Sequence, residues 1–84
     1  MSMKEILQDR FDELGISGYE LTRRVVELRT EAGEETSIDK LKSSVAKTLK
    51  DPDGRRYSAI AEVIEAMGGE IFVRWKDYKD VKAL

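Results

Sequence analysis

Apolar residues recur at helical spacing along most of the chain. Met3, Ile6, Leu7, Phe11 and Leu14 form one such stripe, Ser2 with Glu5 three residues on reads as a capping box, and Gly15 ends the run. This predicts a helix from Ser2 to Leu14. A second capping box, Ser17 with Glu20, opens a helix that runs to about Arg29 or Glu31 and stops at Gly33. Its expected buried side is Tyr19, Leu21, Val25, Val26 and Leu28. The acidic, small-residue segment TEAGEETS then reads as an exposed connection.

Thr36 or Ser37 caps a third helix whose apolar stripe is Ile38, Leu41, Val45, Thr48 and Leu49. Asp51-Pro52-Asp53-Gly54 matches a type I turn and stops it. A fourth helix is expected from Tyr57 to Met67, with Tyr57, Ile60, Ala61, Ile64 and Met67 inward, and Gly68-Gly69 ends it. The period then switches to two across Glu70 to Trp75, which predicts one short strand. The tail DYKDVKAL reads as a final helical turn or a frayed end. One domain fills residues 1–84, with a helical core (1–69), a strand (70–75) and a tail (76–84). A lone strand has no partner within the chain, so a homodimer is expected through Ile71, Phe72, Val73 and Trp75, the last as an anchor.

Charge changes this picture. The net charge of −2 conceals an uneven distribution. Residues 40–56 hold six basic side chains against two acidic ones, whereas residues 1–39 hold five against ten. Ser43 and Ser44 on the third helix permit close approach of its backbone to base edges, and Lys47 one turn on supplies reach. Lys40, Lys42, Lys50, Arg55 and Arg56 are the expected phosphate contacts. Backbone N–H groups at the start of the second or fourth helix would add to these. Arg23 and Arg24 are expected to pair with Glu20 or Glu27 instead.

These stretches carry a family resemblance. LGISGYELTRRV is similar to the second helix of the lambda-repressor-like (Cro/XRE-type) helix-turn-helix family. SSVAKTLKDPDGRRYSAIAEVIEAMGGEI resembles that family's third helix, loop and fourth helix. The likeness spans roughly residues 3–75. It implies a mostly α, four-helix domain with a short C-terminal β-strand, binding double-stranded DNA as a homodimeric transcriptional regulator or as the DNA-binding half of an antitoxin. One departure is the acidic segment VVELRTEAGEETSID, where the family has a tight turn between helices two and three. Beside DNA that segment must point away.

Other classes fit less well. The chain has neither cysteine nor histidine, which removes thiol chemistry, imidazole triads and Cys/His zinc sites. Its carboxylates are scattered beside Lys or Arg, with no apolar wall to raise one pKa, so no enzyme and no cofactor are expected. DPDG lacks the distal glutamate of a calcium loop. No apolar run approaches the roughly 18 residues of a membrane span, no secretory leader opens the chain, and a cytoplasmic, membrane-free protein is expected. The rival reading is a protein–protein interaction module on the same helices, without DNA contact but with a protein partner taking up the strand.

Overall fold

Each of the first three helices begins on a serine, and each serine acts as a cap. In the computed structural model, which describes residues 1–77 and 80–83, Ser2 accepts from the Glu5 N–H at 3.2 Å. The Glu5 carboxylate in turn accepts from the Ser2 N–H at 3.3 Å, closing the expected box. Ser17 accepts from the Glu20 N–H at 3.0 Å, but the Glu20 carboxylate turns to Arg23 and Arg24, so the second box is only half formed. Ser37 accepts from the Lys40 N–H at 3.3 Å. The resulting helices are α1 (Met3–Leu14), α2 (Gly18–Glu31), α3 (Ile38–Lys50) and α4 (Tyr57–Ala66). Gly15 ends α1 in the left-handed region at φ 64°, where a Cβ would be strained. Asp51-Pro52-Asp53-Gly54 tightens into a single 3-10 turn at Pro52–Gly54, closed by the Arg55 N–H donating to the Pro52 carbonyl at 3.0 Å.

The four helices bury one shared core of Leu7, Leu21, Val25, Leu41, Val45, Val63, Ala66 and Met67. Leu21 and Val25 are fully covered, and each contributes about 1.5–3 kcal/mol by leaving water. Of the residues expected inward, Ile38 and Ile60 are only half-buried and lie outside this cluster, and Tyr19 and Tyr57 are exposed. Tyr19 is 65% and Tyr57 46% exposed, each on the first turn of its helix. In α4 the space goes to Val63 and Ala66, which periodicity had not assigned inward. The C-terminal carbonyls of this last helix are capped from the side: Arg10 donates to the Met67 carbonyl at 3.0 Å, and Arg24 to Ala66 at 3.5 Å.

The strand is shorter than expected and does not lack a partner within the chain. Strand β1 (Phe72–Arg74) pairs antiparallel with β2 (Asp80–Lys82) in the register Phe72–Lys82, Val73–Val81 and Arg74–Asp80. The tail therefore folds back as a hairpin arm rather than as a helical turn. Tyr78, Lys79 and Leu84 lie outside the described residues. Arg74 reinforces the pairing by donating to both Asp80 carboxylate oxygens at 2.8 and 3.0 Å. Phe72, Val73, Trp75 and Val81 all remain exposed. Among the described residues, no helix is long and apolar enough to cross a membrane.

Candidate functional site

Helix α3 is held by one face only. Leu41, Val45 and Thr48 are buried at 7%, 5% and 1% exposure, so the helix cannot rotate without emptying the core. Ser43, Ala46, Lys47 and Lys50 are exposed on the opposite side. Ser43 and Lys47 lie one helical turn apart, which sets a short hydroxyl beside a long cation.

The other residues singled out on charge divide into two sets. Lys40, Lys42, Lys50 and Arg56 are exposed, and Lys42 lies 3.5 Å from Asp39 in a pair open to solvent. Such a pair is worth about 0–1 kcal/mol and leaves the ammonium available. Ser44 and Arg55, in contrast, are half-buried and bonded to one another. The Arg55 guanidinium donates to the Ser44 hydroxyl and, at 3.2 Å, to the Thr48 hydroxyl, which itself donates to the Ser44 carbonyl at 2.9 Å. Arg55 thus fastens the loop after α3 onto that helix. Thr48, read from the sequence only as part of the apolar stripe, is the second anchor of this fastening. No helical spacing signals the role, because its partner is on the far side of the 3-10 turn.

Arg56 starts α4 with an extended backbone and no side-chain cap, so the first N–H groups of that helix have no capping side chain. They open near a polar depression lined by Arg29, Glu34, Arg55, Arg56, Ser58 and Glu62. Arg29 donates to both Glu62 oxygens at 2.9 Å, tying α2 to α4, and this pairing raises the guanidinium pKa. The acidic connection folds back at this point. The Glu34 N–H donates to the Arg29 carbonyl at 2.9 Å and its carboxylate comes within 3.9 Å of the guanidinium.

On α2, Glu20 accepts from Arg23 at 2.7 Å, and that hydrogen bond foremost, with Arg24 also contributing, holds its carboxyl down to about 2. Arg23 also pairs with Glu27, as helical spacing predicted. Asp80 is lowered too, by its hydrogen bonds from Arg74. Both carboxylate shifts lead away from the range of a general acid. Among the described residues, no group of His, Cys, Asp or Glu could hold a metal ion. What the α3 surface offers is hydrogen-bond donors and positive charge. No family model, curated protein or solved structure matches the chain.

Proposed function

We propose that the chain is a sequence-specific DNA-binding regulator of the lambda-repressor-like helix-turn-helix kind, acting as a homodimer with α3 as the recognition helix. The observation that carries this reading is the outward face of α3, where Ser43 and Lys47 are exposed one turn apart on a helix pinned by Leu41, Val45 and Thr48. Ser43 lets the backbone approach base edges, and Lys47 reaches guanine acceptors in the major groove. Lys40, Lys42, Lys50 and Arg56 neutralise phosphates around it, and the uncapped start of α4 adds N–H donors aimed at one more. Arg55 and Ser44 serve this surface indirectly, by holding loop and helix in register.

The test is selection of random duplex DNA by the purified protein beside a Ser43→Glu/Lys47→Glu variant. Enrichment of a two-fold symmetric motif by the wild type alone is expected. No enrichment by a well-folded wild type overturns the proposal and moves the function to a protein-binding module, the reading favoured by the exposed Phe72, Val73 and Trp75.

A further inference from the structure

Beside its outward face, α3 turns another toward α1 and the start of α2, and the three helices do not close over it. A groove of about 490 Å³ lies there, walled by Phe11 of α1, Tyr19 of α2 and Ile38 and Leu49 of α3. Small residues keep it open. Ala46 contributes a single methyl, and a Cβ on Gly18 would meet nothing within 4 Å. Phe11, Ile38 and Leu49 are left half-buried and Tyr19 exposed, so the walls are apolar surface without full cover. The volume falls in the range of small-ligand sites, which combine an apolar lining with a few convergent polar groups.

The polar part of the lining selects the occupant. Thr22 donates to the Gly18 carbonyl at 2.8 Å and Gln8 to the Leu49 carbonyl at 3.3 Å, so these groups are engaged within the protein. Lys42 and Lys50 supply charge, and among the described residues no carboxylate lines the groove, although the chain carries 17 acidic against 15 basic side chains. Among the described residues Lys50 makes no ion pair, and the pair of Lys42 with Asp39 is open to water. The two lysines leave α3 about 12 Å apart, at 1.5 Å of rise per residue, a span close to the length of a medium-chain fatty acid. We infer that this groove binds a small apolar carboxylate, its hydrocarbon body against Phe11, Tyr19 and Leu49 and its carboxylate at the lysines. A neutral molecule of the same shape gains only the wall contacts, and an apolar cation is repelled by both ammonium groups. The inference goes beyond the proposed function and stands without it. Lys42 and Lys50 are also phosphate partners in that reading, so an occupied groove withdraws both from DNA, and this consequence alone rests on it.

The test is an NMR titration of the isotope-labelled protein, without DNA, using decanoate below its micellar concentration. Amide shifts at Gly18, Tyr19, Ala46 and Leu49 are expected to move together and to saturate at one decanoate per chain. Decanol, which keeps the chain but not the charge, is expected to bind at least ~10-fold more weakly. Ala46→Trp fills the groove from an exposed position of α3 and should weaken decanoate by a similar factor. Should that variant disturb the helices in circular dichroism, Gly18→Leu fills the same space from α2. Lys42→Gln/Lys50→Gln should bring decanoate down to the affinity of decanol. Absence of saturable shifts overturns the inference, as do shifts centred on Met3, Ile6 and Phe72, in the separate groove between α1 and the hairpin. Equal affinity for decanol, or decanoate binding that a folded groove-filling variant leaves unchanged, overturns it as well. None of these results bears on whether the protein reads DNA, which the selection experiment settles separately.

Discussion

Arg55 and Arg56 are neighbours with the same charge, yet the structure gives them different surroundings. Arg55 donates to the hydroxyls of Ser44 and Thr48, the latter 1% exposed, whereas Arg56 is exposed at the start of α4. Replacing Arg55 by Gln removes two hydrogen bonds from a charged donor, a loss of about 1–2 kcal/mol. In a domain of this size that lowers the melting temperature by ~5–15 °C. Arg56→Gln removes no bond among the described residues and should change stability by less than ~0.5 kcal/mol. Under the proposed function the order reverses on DNA. Each phosphate contact contributes about 0.9 to the slope of log Kobs against log salt, so Arg56→Gln in both copies should flatten it by ~1.8. Thermal melts by circular dichroism, with fluorescence anisotropy on the selected duplex across a potassium chloride series, measure both quantities. An unchanged salt slope for Arg56→Gln, or an Arg55→Gln protein that melts like the wild type, would refute the assignment.

Other predictions concern the frame around this surface. Leu21→Ala empties a site with no exposure between α2 and its neighbours and should cost about 2–5 kcal/mol in urea unfolding, with no change in DNA sequence preference once folded. Gly69→Ala places a Cβ 2.9 Å from the Ile64 Cγ2 and 3.3 Å from its carbonyl oxygen, so it should destabilise by ~1–3 kcal/mol and lower the melting temperature. Glu20 supplies a pH dependence whose sign follows from its depressed carboxyl. Its contribution is present above its ordinary value of 4.5 and is lost as pH falls toward about 2, so Glu20→Gln should flatten the acid limb of stability against pH in that window. An unaltered acid limb in the variant would remove Glu20 from the account.

Much of the chain was legible because its signals are local. Ser2, Ser17 and Ser37 start helices through bonds to N–H groups three residues on, and Gly15 stops one by a backbone conformation that depends on no distant partner. The inward stripe of α3 was legible for the same reason, since 3.6-residue geometry sets Leu41, Val45 and Thr48 on one side. Periodicity failed at helix starts: it cannot tell how far neighbouring helices cover a first turn, and Tyr19 and Tyr57 stay exposed there. It failed at β2 as well, because three residues are too few to display a period and Asp-Val-Lys becomes a strand only through pairing with Phe72–Arg74. The candidate surface divides along the same line. Sequence alone determined that six cations cluster in residues 40–56 and that Ser43, Ser44 and Lys47 lie off the apolar stripe of α3. Tertiary structure decided that Ser43 and Lys47 stay open while Ser44 is occupied, since that depends on where the 3-10 turn returns Arg55, a contact across eleven residues that no helical period encodes.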